Sequence, residues 1–223
     1  MNTLWTLLTE NFDLLAKGTG ETLYMVLLSS LFAYVIGLPL GVLVTITGKN
    51  GLRPMPVFNT IVGGIINIGR SIPFIILMIA LFPFTRFVIG KTIGATAAIV
   101  PLVIAAAPFV ARLVETSLAE VDSRVVEAAR TMGATNAQII WKVLLPESIP
   151  SLVRGMSITT ITLIGYSAMA GAVGAGGLGD IAIRYGLHRY ETGVMLLTIL
   201  LLVILVQIIQ IIFNWIAKVI DKR

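Results

Sequence analysis

Residues 127–146, EAARTMGATNAQIIWKVLLP, form a polar stretch that can fold into helices, and long apolar runs flank it on both sides. The 223-residue chain is 57% hydrophobic and 12% charged, with a mean hydropathy of +0.98. Soluble domains usually carry about 25% charged residues. The composition therefore predicts an all-α protein that crosses a membrane several times. It also predicts that the quoted stretch lies outside the membrane, where a partner can bind it.

Five apolar segments are each long enough to cross the hydrocarbon core as a helix, which takes about 20 residues. We place them at about residues 23–46, 57–82, 93–114, 156–183 and 193–217 of a single domain that covers residues 1–223, with a polar loop at about residues 115–154. Residues 1–12 have an apolar side but are too short to cross, which indicates an interfacial helix. The first span is too long for the apolar core of a signal peptide, so we expect it to remain.

Lysine and arginine residues are distributed unequally between the two sides of these spans. Ten lie on the side of the polar loop: Lys49, Arg53, Arg112, Arg124, Arg130, Lys142, Arg154, Lys218, Lys222 and Arg223. Five lie on the other side: Lys17, Arg86, Lys91, Arg184 and Arg189. Because the side richer in basic residues is usually cytoplasmic, we predict that the polar loop and the C-terminus are cytoplasmic and that the N-terminus is outside.

The first part of the polar loop has the signals of a short helix. Asp122 or Ser123 can cap its N-terminus, and Glu127 lies near that positive end. Gly133 can adopt the left-handed conformation that ends a helix. Small side chains at Ala128 and neighbouring positions would let a partner approach the helix backbone closely.

A second short helix is predicted after this turn. Thr135 and Gln138 have the spacing of a capping box, and Pro146 and Pro150 should stop the helix. A helix, a glycine turn and a second helix also outline a DNA-binding motif. The loop has too few basic residues for a phosphate-binding surface, so we expect no nucleic acid partner. An ordinary amphipathic surface loop is the plainer alternative.

Two segments resemble phosphate-binding motifs. Residues 90–92, Gly-Lys-Thr, match the end of a P-loop, but Thr85 stands where the first glycine belongs and the segment is predicted to be outside. Gly174, Gly176 and Gly179 match G-x-G-x-x-G, yet they lie in an apolar helix with no preceding strand. Neither segment predicts a nucleotide site.

We interpret the glycine-rich end of the fourth span as a site of close helix packing or of a flexible break. Its glycines are Gly174, Gly176, Gly177 and Gly179. Gly37 and Gly41 form a second candidate packing pair. Asp180 and Arg184 are one helical turn apart, which predicts an ion pair near the outer face.

The sequence offers little for catalysis or metal binding. It contains no cysteine, and His188, its one histidine, falls in a predicted external loop. Acidic residues do not converge at membrane depth, so we predict neither a catalytic nor a metal site. Arg70 is the one basic residue far from the ends of a predicted span. It lies near Pro73, where a kinked helix could let the guanidinium reach freed carbonyl groups or a translocation path. Alternatively, Arg70 lies nearer the interface between membrane and water.

The polar loop resembles a loop of a known transporter family. Glu127-Ala128-Ala129, Gly133 and Leu145-Pro146 are similar to the EAA loop through which ABC-importer permeases engage a separate ATPase. Residues 165–171 and 174–180, with Arg70-Ser71-Ile72-Pro73-Phe74 and residues 105–109, look like the methionine-uptake branch of that family. The resemblance covers nearly the whole chain.

This resemblance implies a permease of the bacterial cytoplasmic membrane that acts as a homodimer, surrounded by membrane lipid. It further implies two cytoplasmic ATPase subunits, which would bind ATP and Mg²⁺, and an extracytoplasmic methionine-binding protein. The chain itself would bind no cofactor and would not be an enzyme. Closure of the ATPase pair would move the EAA loops and switch the spans between inward-open and outward-open states.

Tyr166 and Met169 are predicted to face the translocation path. They lie three residues apart on one helical face, and small residues surround them. A thioether beside an aromatic ring would suit a methionine side chain. Both could instead pack against another span or a second copy.

Other functions fit the sequence less well. A permease for another small amino acid or an osmolyte is the nearest alternative. A gradient-driven transporter should show internal repeats and acidic residues in the middle of its spans, and this sequence shows neither. A membrane scaffold without a transport role would not need the EAA pattern.

Overall fold

The computed structural model describes residues 8–220, and all regular structure in that range is helical. The α-helices are α1 (Phe12–Thr47), α2 (Pro56–Ser71), α3 (Phe74–Ala80), α4 (Phe82–Ile89), α5 (Ala95–Ala119), α6 (Ser123–Thr131), α7 (Asn136–Ile139), α8 (Leu145–Gly171), α9 (Gly177–Ile181) and α10 (Thr192–Ile220). Two π-helical segments, Ile140–Leu144 and Ala182–Leu187, precede α8 and follow α9. The predicted all-α class is confirmed.

Helices α1 and α5 form the centre of the packed core. A Cβ atom at Gly37 would lie 2.6 Å from Val110 Cβ, and one at Gly41 would lie 2.5 Å from Val114 Cβ. These distances are too short for any side chain, so the two glycines allow the helix backbones to approach closely. The predicted packing pair is confirmed. Fully or nearly fully buried side chains of the same hydrophobic core include Met25, Val26, Leu102, Val110 and Leu163.

The first helix is longer than predicted. It begins at Phe12 rather than near residue 23, and its 36 residues would span about 54 Å, well beyond a hydrocarbon core of about 30 Å. Most of the predicted interfacial helix, residues 1–7, lies outside the described residues. The third and fifth spans correspond to α5 and α10 with small shifts at their ends.

The second predicted span is not a straight helix. Helix α2 ends at Ser71, and α3 leaves it at an angle of 100°. Pro73 explains the break, because it cannot donate a backbone hydrogen bond and it disfavours helical geometry at the preceding residue. Ile72 is extended, with ψ 123°. The kink expected beside Arg70 is therefore a sharp break.

The fourth predicted span, at about residues 156–183, is not one uninterrupted helix, and its helix begins earlier than residue 156. Helix α8 ends at Gly171, because Gly174, Gly176 and Gly177 have φ values of +83°, +85° and +78°, which no right-handed helix contains. At its other end, α8 begins at Leu145 and continues through both prolines that were expected to stop a helix. The π-helical turn Ile140–Leu144 leads into α8 with helical dihedral angles, so Pro146 lies inside a continuous helix, at a point where this turn already interrupts the usual i→i−4 hydrogen bonds.

Three helices of the described chain, α1, α5 and α10, are long and apolar enough to cross a membrane. The bent pair of α2 and α3 would make a fourth span. Only 17% of the apolar window of α10 is buried within the chain, so this helix presents a wide apolar surface outward.

Candidate functional site

The polar loop begins with a capped helix. Asp122, rather than Ser123, is the N-cap of α6, and its carboxylate accepts a hydrogen bond of 2.9 Å from the Arg124 backbone N–H. The Arg124 side chain also donates to this carboxylate. These hydrogen bonds lower the pKa of Asp122 to about 2, so the cap is ionised at physiological pH.

The turn between the two short helices has the predicted geometry. Gly133 has φ +80°, and the Ala134 N–H donates to the Ala129 carbonyl at 3.1 Å, which closes the end of α6. The capping box that starts α7 is also present. The Thr135 N–H donates to Gln138 Oε1 at 2.8 Å, and the Gln138 N–H donates to Thr135 Oγ1 at 3.3 Å. Local sequence therefore determines this turn.

The two faces of the polar loop differ in burial. Ala129 and Ile139 are buried against the helices, with 6% and 0% exposure, and Leu145 is partly buried. The outer face contains Glu127, Ala128, Gly133 and Pro146, all exposed. The loop thus presents one surface to the rest of the chain and another to its surroundings.

Two large apolar residues on the outer face of the polar loop were not predicted from the sequence as contact residues. Met132 is 81% exposed and Trp141 is 70% exposed. Bulky apolar side chains in an otherwise polar stretch are typical of contact residues, and that signal was available in the sequence. Behind this surface, a cleft of about 370 Å³ separates α6 from the loop after α1, and Glu127, Arg130 and Leu52 line it.

The second candidate region lies where α2 breaks. A recess of about 230 Å³ opens there, and its lining residues are Gly69, Arg70, Ile72, Phe74, Ala105, Phe109 and Tyr166. We call it the Arg70 recess. Three segments that are distant in sequence, and that carried the resemblance to methionine-uptake permeases, meet in this one place.

Aromatic stacking joins the walls of the Arg70 recess. The rings of Phe74 and Tyr166 are parallel within 3°, with centroids 4.6 Å apart. The structure therefore brings Tyr166 and Arg70 together. Met169 does not line the recess, and its side chain is 50% exposed on the surface of α8.

The glycine-rich segment, residues 171–179, is closely packed. Glu21 Oε2 accepts a hydrogen bond of 2.8 Å from the Gly177 N–H, and Thr22 Oγ1 accepts one of 2.9 Å from the Leu178 N–H. A Cβ atom at Gly176 would lie 2.6 Å from that Glu21 oxygen. The helix is thus broken at these glycines, and the broken segment is closely packed.

Two smaller predictions concern Asp180, Arg184 and His188, which lie between α8 and α10. Arg184 and Asp180 form the expected ion pair, with 2.7 Å between nitrogen and oxygen. His188 is exposed. Within residues 8–220, no group of three or more histidine, cysteine, aspartate or glutamate side chains is placed to hold a metal ion.

The fold and this loop define a helical membrane protein with an exposed segment suited to a soluble partner. The family model described as the binding-protein-dependent transport system inner membrane component matches residues 37–223. The chain belongs to that family.

Several relatives resemble the chain over its whole length. The probable D-methionine transport system permease protein MetI of Vibrio cholerae is 50% identical over 100% of this chain and 99% of its own. The methionine import system permease protein MetP of Bacillus subtilis is 49% identical over 96% and 97%.

Solved structures show the same likeness. An inward-facing structure of the MetNI methionine ABC transporter contains a chain that superposes with a TM-score of 0.94 at 49% identity, covering 96% of this chain and 99% of that one. An amino acid ABC transporter that is 17% identical superposes with a TM-score of 0.80, which shows a shared fold.

Proposed function

We propose that this chain is the permease subunit of an ATP-driven importer and that it translocates methionine, in the D or L form, across the cytoplasmic membrane. The proposal rests on the full-length similarity, at 50% and 49% identity, to permeases named for methionine transport in Vibrio cholerae and Bacillus subtilis. The superposition on a methionine ABC transporter supports it.

In this proposal each chain contributes five spans to a homodimer. Helix α8 is the fourth span in chain order, although several hydroxyl side chains lower its hydropathy. Thr159 and Thr160 donate hydrogen bonds to the carbonyls of Gly155 and Met156 at 2.9 and 2.8 Å, so these hydroxyls are satisfied within the helix. The apolar outer surface of α10 would contact lipid or the second copy.

The proposed orientation places the polar loop in the cytoplasm and the N-terminus outside. The distribution of basic residues supports it. Cysteines introduced at His188 and at Thr131 of this cysteine-free chain would test it in intact cells. An impermeant thiol reagent should label the first position and not the second, and the reverse pattern would refute the orientation.

The polar loop is the proposed contact with a separate ATPase, which would hold ATP and Mg²⁺. Glu127, Ala128, Gly133 and Pro146 would lie at that contact, together with Met132 and Trp141. Ala129 and Leu145 would support the loop from its buried side. Because α8 continues directly from the loop toward Tyr166, a displacement of the loop would move one wall of the Arg70 recess.

The Arg70 recess is the proposed part of the translocation path. It lies at the break between α2 and α3, where helix ends can shift with respect to each other. Tyr166 and Arg70 would face the cargo in that recess. Met169 lies on the outside of α8, so it would reach the path only if a second copy packs over it.

Uptake into proteoliposomes tests the proposal. Vesicles that contain this chain with its ATPase and an extracytoplasmic binding protein should accumulate radiolabelled methionine when ATP is supplied on the cytoplasmic side. An excess of unlabelled methionine should compete with the label. Uptake that proceeds without ATP, or competition by another small amino acid or osmolyte but not by methionine, would refute the proposal.

A charge reversal tests the coupling contact. Glu127→Lys should leave membrane insertion intact and abolish both ATPase co-purification and uptake. Glu120→Lys is the matched control, since it makes the same change at an exposed position outside the two short helices. Normal co-purification and uptake with Glu127→Lys would contradict a contact at this position.

A further inference from the structure

Arg70 lies level with the middle of α5, one of the helices that are long and apolar enough to cross a membrane. Its neighbour Gly69 packs against Pro108, and a Cβ atom at Gly69 would lie 2.9 Å from Pro108 Cγ. Pro108 is close to the centre of α5. Nearer the N-terminus of α2, Gly63 and Asn67 contact Arg112 of α5. Arg112 donates hydrogen bonds to the Gly63 carbonyl at 3.1 Å and to Asn67 Oδ1 at 3.0 Å. These contacts fix α2 against α5 and so fix the depth of Arg70.

The guanidinium of Arg70 has no hydrogen-bond or ion-pair partner within residues 8–220. Arginine is permanently charged, and a charge at membrane depth requires a counter-charge or water. The sequence has eleven acidic residues, and all of them lie at or beyond the ends of the predicted spans: Glu10, Asp13, Glu21, Glu115, Glu120, Asp122, Glu127, Glu147, Asp180, Glu191 and Asp221. A second copy of the chain would therefore supply no carboxylate at mid-span either.

The other walls of the Arg70 recess are apolar. Phe74, Phe109 and Tyr166 provide three aromatic rings, and Ile72 and Ala105 complete the lining. A volume of about 230 Å³ is sufficient for one small amino acid. Guanidinium groups bind carboxylates through two parallel hydrogen bonds, and thioethers make favourable contacts with aromatic rings. One charged anchor and an aromatic wall thus match the two ends of such a cargo.

We infer that Arg70 binds the α-carboxylate of the amino acid in transit, while the aromatic residues of the recess surround its side chain. This inference rests on the proposed function and adds the chemistry of the site. The missing counter-charge of Arg70 is then the cargo itself. The site holds the cargo through few contacts, so release requires only that the walls separate.

A cysteine in the recess tests this assignment. Ala105→Cys in the cysteine-free chain, assembled with its ATPase in vesicles without the binding protein, should react with a small thiol reagent. Methionine should slow that reaction. Methioninol, in which an alcohol replaces the carboxylate, should need a concentration at least about tenfold higher, because it loses the charge-assisted hydrogen bonds.

Variants at Arg70 sharpen the test. Arg70→Gln should remove the difference between methionine and methioninol, and Arg70→Lys should retain part of it. Arg86→Gln, at an exposed arginine of α4 outside the recess, should leave the difference unchanged. If Arg70→Gln does not assemble, the comparison of the two ligands in the Ala105→Cys variant decides alone.

Three outcomes would overturn the inference. They are equal protection by the two ligands, a difference that persists in Arg70→Gln, and a labelling rate that follows the anionic lipid content and ignores methionine. The last outcome would assign the guanidinium to a lipid phosphate. If vesicles with the unaltered chain take up methionine but protection does not depend on the carboxylate, only this inference fails. If uptake itself is absent, the proposed function fails.

Discussion

The turn after α6 and the glycine-rich segment after α8 use the same backbone conformation for different purposes. Gly133 and Gly174 have nearly equal φ values, +80° and +83°. A Cβ atom at Gly133 would meet nothing within 4 Å, whereas one at Gly177 would lie 2.7 Å from Thr22 Oγ1 and 2.9 Å from Met25 Cε. The conformation of the turn at Gly133 is determined by its own residues, and a partner can approach this turn. The second is determined by contacts with residues of α1 that lie 156 positions earlier in the chain, and no space is left around it.

The largest expected effect comes from adding a side-chain carbon within the glycine-rich segment, residues 171–179. A Cβ atom at Gly179 would lie 2.4 Å from the Ala168 carbonyl oxygen, which is backbone and cannot move aside. We expect Gly179→Ala to destabilise the chain by about 3 kcal/mol, near the upper end of overpacking effects. The midpoint of thermal denaturation of the purified complex measures this.

Gly165→Ala is the matched control for that substitution. It lies in α8, and a Cβ atom there would meet nothing within 4 Å. Alanine favours a helix over glycine, so stability should be unchanged or slightly raised. Equal losses in both variants would show that the packing of residues 171–179 does not determine stability.

A smaller effect is expected from cutting the link between this segment and α1. Glu21→Ala removes the acceptor of the Gly177 N–H, which should cost about 2 kcal/mol if that group is left without a partner. Glu21→Gln keeps an oxygen acceptor and should restore most of the loss. Chemical or thermal denaturation of the two variants checks the difference. If both are equally unstable, charge rather than the hydrogen bond holds the segment.

This contrast also explains which features the sequence could predict. The Asp122 cap, the Gly133 turn and the capping box of Thr135 and Gln138 depend on residues within a few positions of one another. The turn and the capping box were predicted correctly, and Asp122 was one of two residues predicted as the cap. Composition and spacing were likewise sufficient for the all-α class and for the Gly37 and Gly41 packing pair. Such features are determined by local chemistry or by a strong pattern.

Features that depend on distant residues were not predicted. The partners of Gly177 and Leu178 are Glu21 and Thr22, and no pattern in the sequence connects them. The Arg70 recess combines residues from three helices, so its lining could be proposed only in part from the sequence. The prolines of α8 were misread for a different reason, since Pro146 directly follows the π-helical turn Ile140–Leu144 and the helix continues through it.

The turn at Gly133 has room for a larger side chain, but it should not tolerate a residue that disfavours its backbone conformation. We expect Gly133→Val to cost about 1 to 2 kcal/mol locally, because a β-branched residue is disfavoured at positive φ. Global stability should change little, whereas ATPase co-purification should fall sharply. Gly133→Asn is the control, since asparagine tolerates this conformation and open space surrounds the position. Loss of binding with asparagine as well would mean that the partner contacts the glycine directly.

The smallest effect is expected at the exposed cap of α6. The folded-state pKa of Asp122 is about 2, below its ordinary value of 3.8, so its contribution is fully present above 3.8 and is lost only as the pH falls through about 2. Hydrogen exchange of the α6 amides, corrected for the intrinsic rate, should therefore show equal protection at pH 7 and pH 4.5. Asp122→Ala should raise exchange at the start of α6 by less than about tenfold. Asp122→Asn should change it little, because the amide oxygen still caps the helix and the exposed pair with Arg124 contributes little. A drop in protection of the unaltered chain at pH 4.5 would show that the cap does not depend on the Asp122 carboxylate as described.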